Sequence, residues 1–312
     1  MEKILSVKRL VKSFKDHKVL KGISFEVVRG EILCFLGPNG AGKSTTINIL
    51  TAALSSDGGE LFYKGEVLSK VLRGYKKKLG VVPQDIALYE ELSAERNIRF
   101  FAGLYGLRGQ ELNRATDEAL ALAGLADRRH DKVKTFSGGM KRRLNIACAV
   151  AHNPELVIMD EPTVGIDPQS RNHILHSIQQ LRDSGMTVLY TTHYMEEVEA
   201  ISSRIIIMDH GAIIAEGTKE TLKAEIQEEK RYIIEIETEK NVEDKSFYSI
   251  TGVKSVQING SQLEVTCLKD IENLDRIIAL LTDSGIRIRN VASETASLET
   301  VFLKLTGRKL RD

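Results

Sequence analysis

An α/β fold joined to a smaller α+β unit is the architecture that these 312 residues predict, and three observations predict it. Short apolar runs alternate with helical stretches between residues 30 and 210. A glycine-rich pattern joins one of those runs directly to a helix, and residues 223–312 carry the element order βαββαβ. Hydrophobic residues make up 42% of the chain, enough to bury a core in each of two domains, which excludes wholesale disorder. Lys and Arg number 44 against 43 Asp and Glu, a net charge of +1. That balance argues against gripping nucleic acid by bulk charge, so no nucleic-acid partner is expected. No apolar run approaches the roughly 18–20 residues of a membrane-spanning helix. Met1–Ser6 also lacks the apolar stretch of a signal peptide, and a soluble, intracellular chain is expected. Cys34, Cys148 and Cys267 stand apart among apolar neighbours and read as small buried hydrophobes.

Taken in order, Ile4–Val11, Val19–Val28 and Leu61–Lys64 alternate apolar and polar residues and predict an N-terminal antiparallel sheet. Glu31–Leu36, Leu79–Val82, Leu156–Met159, Thr187–Thr191 and Arg204–Met208 are apolar over most of their length, as strands buried on both faces of a parallel sheet are. Helices are predicted between them at Lys43–Ala53, Ala94–Tyr105, Asn113–Ala123, Lys141–His152 and Arg171–Ser184. All five prolines, at 38, 83, 154, 162 and 168, fall in this region and mark its connections. The charged stretch Lys223–Arg231 opens the second unit. Strand Tyr232–Thr238, helix or loop Val242–Ser249, strands Lys254–Ile258 and Gln262–Cys267, helix Ile271–Ser284 and strand Ile286–Val291 give the ferredoxin-like order. Asn259-Gly260 predicts a type I′ hairpin turn between the two middle strands. A terminal amphipathic helix, Leu298–Leu305, sets Leu298, Val301, Phe302 and Leu305 on one face. The expected domains are 1–222, with a helical subdomain near 86–135, and 223–312.

Gly37-Pro38-Asn39-Gly40-Ala41-Gly42-Lys43-Ser44 matches G-x-x-x-x-G-K-[ST] and continues into Thr45, with a strand before it and a helix after it. Glycines let successive backbone N–H groups turn inward around phosphate oxygens, and the helix N-terminus adds partial positive charge. Lys43 would reach the β- and γ-phosphates, and the Ser44 hydroxyl would ligate Mg²⁺. This predicts a phosphate-loop nucleotide site. Leu156–Met159 ends in two acids. A strand beside the phosphate-loop strand would hold Asp160 at Mg²⁺ distance, with Glu161 facing the γ-phosphate where water needs polarising.

Phe136-Ser137-Gly138-Gly139-Met140-Lys141-Arg142-Arg143 resembles the signature motif of ABC-transporter ATPases, and other marks of that family follow its order. Phe14 resembles the aromatic that stacks on adenine, and Gln84 in Val82-Pro83-Gln84-Asp85 resembles the Q-loop glutamine. Asp167 in Val164-Gly165-Ile166-Asp167 resembles the D-loop aspartate, and His193 in Thr191-Thr192-His193 the switch histidine. The resemblance covers residues 2 to about 218. It implies a RecA-like mixed sheet with antiparallel and helical subdomains, and ATP with Mg²⁺ bound by Ser44, Gln84 and Asp160. It further implies Glu161 as general base, His193 and Lys43 on the γ-phosphate, and a homodimer in which Ser137, Gly138, Gly139 and Met140 close over the partner's ATP. Met140 stands where many relatives carry glutamine, Phe14 replaces a usual tyrosine, and Ser202-Ser203-Arg204 replaces a frequent Cys-Asp-Arg.

Ser297–Arg308 resembles the closing segment of ATPases from ABC-2-type exporters of the daunorubicin-resistance and sodium-efflux kinds. The resemblance implies separate permease subunits docking near Gln84, and a peripheral position on the cytoplasmic face of a bacterial membrane. An importer ATPase and an ATP-gated sensor stand as alternatives.

Overall fold

The computed structural model describes residues 2–226, 229–237, 244–294 and 297–307. The chain divides into two compact units, Met1–Lys219 with Leu305–Asp312 and Glu220–Lys304. In order, the first contains β1 (Lys3–Phe14), β2 (His17–Val28), β3 (Ile32–Leu36), α1 (Lys43–Leu50), β4 (Gly58–Tyr63), β5 (Glu66–Val67), α2 (Leu68–Lys77) and β6 (Leu79–Val82). Helices α3 (Ala94–Leu104), α4 (Gly109–Ala123) and α5 (Gly138–Val150) follow. Then come β7 (Leu156–Asp160), α6 (Pro168–Asp183), β8 (Thr187–Thr192), α7 (Met195–Ile201), β9 (Arg204–Asp209) and β10 (Ala212–Gly217).

Two sheets and a helical layer make up this unit. The antiparallel sheet has the order β2-β1-β4-β5, and the mixed sheet the order β10-β9-β3-β8-β7-β6. From β9 to β6 every neighbour is parallel, and β10 adds an antiparallel edge. The central strands β3, β7 and β8 are buried at every position, which is why they read as continuous apolar runs. One core joins the two sheets through Leu5, Leu20, Phe25, Phe35, Ile158 and Met208. A separate core holds α3, α4 and α5 together through Ile98, Ala102, Leu120, Phe136 and Leu144.

The sheet order corrects one expectation. β7 does not neighbour the phosphate-loop strand β3, because β8 runs between them. Asp160 is therefore one strand further away, and β8 is hydrogen-bonded to both sides. Strand count and sequence proximity could not reveal this, since the connections between the parallel strands are long crossovers that leave strand order free. Helix α2 was not anticipated either, although Leu68, Val71, Leu72 and Tyr75 have helical spacing.

α8 (Lys219–Ile226) opens the second unit, followed by β11 (Glu229–Glu237), a 3₁₀ turn at Asp244–Ser249, β12 (Val253–Asn259), β13 (Gln262–Leu268), α9 (Leu274–Asp283) and β14 (Arg287–Glu294). Its antiparallel sheet has the order β12-β13-β11-β14, the ferredoxin-like arrangement, with a 3₁₀ turn in the place of the first helix. Thr238 and Val242, expected in elements, and Arg308, the last residue of the exporter-like closing segment, lie outside the described residues. The β12–β13 turn sits one residue later than expected. Asn259 pairs with Gln262, so Gly260 and Ser261 form the loop, and of these only Gly260 has positive φ, at 62°. A type I′ turn needs positive φ at both central residues, whereas glycine in the first position suits type II′. α10 (Leu298–Thr306) closes the described chain with Leu298, Val301 and Phe302 buried, but Leu305 is 41% exposed and falls off the expected stripe.

The helical layer is fastened to β6 at one carbonyl. Tyr105 and His152 stack at 3.5 Å with their rings 9° apart, and the Tyr105 hydroxyl donates to Leu79 O at 3.3 Å. His152 Nε2 lies 3.2 Å from the same oxygen. Burial holds the His152 imidazole down, from 6.5 to about 4. The unfolded chain therefore takes up this proton first, and stability should fall as pH drops from about 6.5 to about 4, by about 2–3 kcal/mol from this group. His152→Phe keeps the stack and removes the proton. Its urea unfolding midpoint is expected to fall less than that of the wild type between pH 7 and pH 4.5.

Candidate active site

Parallel pairing sets the place of the site. β3, β8, β7 and β6 all leave the sheet at the same end, so the segments that follow Leu36, Thr192, Asp160 and Val82 emerge together. Carboxyl ends of parallel strands are where such sheets bind ligands. The phosphate loop follows β3. Gly37 is obligatory there, because a Cβ would lie 2.3 Å from Met208 O, and Gly40 and Gly42 have φ of 81° and 103°. Helix α1 then starts on Gly42 with no side-chain cap and no acid in its first turn. Its first amides are thus left for an anion, favoured further by the helix dipole. Pro38, Ala41 and Lys43 are buried, Ser44 and Thr45 half-buried, and Asn39 exposed.

Lys43 is 4% exposed, and its ammonium donates to Gly37 O at 2.6 Å and Pro38 O at 3.1 Å. Burial pushes the ammonium below its ordinary value, while Glu161 beside it acts in the opposite sense. Lys43 Nζ is 3.2 Å from Glu161 Oε1, and His193 Nδ1 lies 3.3 Å from the same oxygen without the alignment of a hydrogen bond. Lys43, Glu161 and His193 thus meet at a single carboxylate. Glu161 itself has φ of 44°, a left-handed conformation that costs a non-glycine residue about 1–2 kcal/mol and concentrates at functional sites. That turn at the end of β7 swings the Glu161 side chain towards the phosphate loop.

Thr191, the first residue of the Thr191-Thr192-His193 motif, orients both acids. It stands opposite Asp160 on β8, donates to Asp160 Oδ1 at 2.6 Å, and accepts the Glu161 amide at 3.0 Å. The signal for Thr191 is its register with Asp160, which exists only once β8 is known to lie beside β7. A carboxylate, a hydroxyl and an amide oxygen suit a hard cation: Asp160, Ser44 and Gln84 carry the oxygen donors that Mg²⁺ takes, and Asp160 ends β7 with Thr191 on one of its oxygens. Gln84 is exposed on the loop after β6. α5 holds that loop, with Arg142 Nη1 donating to Pro83 O at 3.1 Å and Asn145 Oδ1 accepting Ala87 N at 3.3 Å.

Phe14 ends β1, 47% exposed, with Lys12 Nζ 5.5 Å above its ring. The signature residues gather elsewhere, at the N-termini of α5 and α6. α5 begins at Gly138, three residues before the expected Lys141, because the Ser137 hydroxyl caps it by accepting Met140 N at 3.2 Å. Gly138 faces open space, whereas a Cβ on Gly139 would lie 2.1 Å from Ser170 Oγ. Met140 packs on the helical core. Asp167 caps α6 by accepting Ser170 N at 2.9 Å, and this backbone bond holds its carboxyl below the usual range.

Fold and phosphate loop together define a phosphate-loop nucleotide-binding protein. The family follows from the comparisons with known proteins. Residues 20–164 match the ABC transporter family, and residues 217–306 match the C-terminal domain of DrrA1-3-like ATP-binding proteins. The linearmycin resistance ATP-binding protein LnrL of Bacillus subtilis is 42% identical, covering 99% of this chain and 100% of that protein. The daunorubicin resistance ATP-binding protein DrrA3 of Streptomyces coeruleorubidus is 34% identical, covering 95% and 93%. A dimeric structure of MJ0796, a bacterial ABC transporter cassette, superposes with a TM-score of 0.63 at 26% identity, over 69% of this chain and 98% of that one. The chain belongs to the ABC-transporter ATP-binding proteins and carries a DrrA-like C-terminal domain. No helix among the described residues is long and apolar enough to cross a membrane.

The glycine geometry makes a graded prediction. Gly37→Ala drives a methyl group into the Met208 carbonyl and is expected to cost about 2–3 kcal/mol. Gly40→Ala meets only the strain of its positive φ, about 1 kcal/mol. Urea unfolding of both variants checks the order.

Proposed function

We propose that this chain hydrolyses ATP at the interface of a head-to-tail homodimer and energises an ABC-2-type exporter in a bacterial membrane. The observation that carries the reading is the Glu161 carboxylate, held by a left-handed turn within 3.3 Å of both Lys43 Nζ and His193 Nδ1. When ATP binds, Lys43 exchanges Glu161 for the β- and γ-phosphates, with the amides of Gly37–Thr45 around them. Glu161, released from the ammonium, accepts a proton from water as its oxygen attacks the γ-phosphorus. ADP departs, and His193 donates to the transferred phosphate. Ser44, Asp160 and Gln84 would hold Mg²⁺, which would supply positive charge against the phosphates. Phe14 offers its exposed face to adenine. Ser137 keeps its hydroxyl proton while its oxygen caps α5, so with Gly138, Gly139 and Met140 it can close over the ATP of a partner subunit, with Asp167 at the same edge.

The exporter assignment is supported by the DrrA-like C-terminal domain and by relatives named for linearmycin and daunorubicin resistance. A drug, an antibiotic or an ion is the expected class of cargo. The permease is expected to seat beside Gln84, where Ile86, Tyr89 and Phe100 are 36%, 50% and 41% exposed and the Tyr89 and Phe100 rings lie 4.9 Å apart. Through it the protein would be peripheral on the cytoplasmic face.

Glu161→Gln is expected to bind ATP, lose at least about 100-fold in kcat, and shift from monomer to dimer with Mg-ATP in light scattering after gel filtration. An active Glu161→Gln protein would remove Glu161 as base. Lys43→Ala should instead weaken ATP binding itself, measured by equilibrium titration.

A further inference from the structure

Glu197, on α7, has no part in the reaction above, yet its side chain is 0% exposed. A carboxyl group is costly to bury unless its oxygens are paired. Both are paired here. Thr163 Oγ1 donates to Oε1 at 2.6 Å, while Tyr190 OH and Thr192 Oγ1 donate to Oε2 at 2.8 and 2.7 Å. Arg171 Nε of α6 stands 3.5 Å from Oε1, close enough for attraction without an aligned hydrogen bond.

The donors belong to the two segments that carry the reacting groups. Thr163 lies two residues beyond Glu161. Thr192 immediately precedes His193, and its oxygen, with its proton given to Glu197, accepts the Tyr194 amide at 2.9 Å. The backbone is thereby held on both sides of His193. Tyr194 is gripped a second time, since the Arg171 guanidinium sits 4.8 Å over its ring, and that ring lies 4.2 Å from the His193 imidazole. We propose that Glu197 is a positioning residue, a shared anchor that sets the placement of Glu161 and His193 relative to each other. A cluster serving stability alone could draw its donors from anywhere in the core. Here the Thr163 and Thr192 hydroxyls come from the loop after Glu161 and the strand end before His193, and displacing a reacting group by about 1 Å can cost about 100-fold in rate.

The proposal rests on the reading of Glu161 and His193 as catalytic, and the test separates the two. Glu197→Gln keeps the size of the side chain but replaces one acceptor oxygen with an N–H donor, so at least one of the hydroxyl bonds must rearrange. Its kcat is expected to drop tenfold or more, while the Kd of a fluorescent ATP analogue stays within twofold. Thr192→Val should give a smaller loss, and adding it to Glu197→Gln should cost little more, because both act through the same carboxylate. Thr192→Val also carries the test if Glu197→Gln does not fold. The second readout is NMR of the ¹³C-histidine-labelled chain, which has 7 histidines, with His193 assigned by its loss in His193→Ala. Glu197→Gln should move the His193 signal and leave that of His152 in place. A lower unfolding midpoint with unchanged kcat and an unmoved His193 signal overturns the proposal, as does a parallel loss of ATP binding and rate. If the wild type does not hydrolyse ATP, the functional reading falls, and the His193 signal alone decides the positioning role.

Discussion

Parallel register is the constraint on which the site depends. β3, β8, β7 and β6 pair so that Leu36, Thr192, Asp160 and Val82 stop at one end of the sheet. Each strand then delivers a different chemical part: amides and an ammonium after β3, a histidine after β8, two acids at the end of β7 and an amide side chain after β6. β8 in the middle is the piece that makes this work. Its Thr191 bonds the Asp160 carboxylate and the Glu161 amide, and its Thr192 leads into His193. A hydroxyl can donate to one and accept from the other at once, which an apolar residue of the same size could not.

Buried charge follows from that convergence. Lys43, Asp160, Glu161 and Glu197 are each at most 7% exposed, and each has a partner on a different element of the same unit. Lys43 is satisfied by two carbonyls of its own loop and by Glu161. In the proposed reaction this Lys43–Glu161 contact would link phosphate binding to the release of the base. The strained turn at Glu161 persists because Thr191 and Lys43 hold it from both sides.

The helical layer is tied to the same end of the sheet by few contacts. Arg142 and Asn145 of α5 grip the backbone on either side of Gln84, and Tyr105 and His152 meet at Leu79 O. The glycines of the signature have distinct reasons: Gly139 packs where a side chain would strike Ser170, while Gly138 stays open. Identical letters in a motif therefore hide one packing requirement and one exposed backbone.

Much was legible in the residues themselves, wherever local physics or motif spacing decides the outcome. Fully buried strands read as apolar runs, Gly37–Ser44 declared its loop, and the alternating pattern of Tyr232 to Val291 declared the ferredoxin-like order. The helix start at Gly138, the hairpin loop at Gly260-Ser261 and the exposed Leu305 were each misjudged, because caps and turns depend on single hydrogen bonds and φ values. Strand order was hidden altogether. The insertion of β8 between β3 and β7, the bonds of Thr191 to both acids and the burial of Glu197 under three hydroxyls join residues distant in the chain, as Ile32 with Val188 and Thr163 with Glu197. Crossover length leaves such pairings undetermined in one dimension, so the sequence named the candidate site groups, and the packed sheet decided what holds them in place.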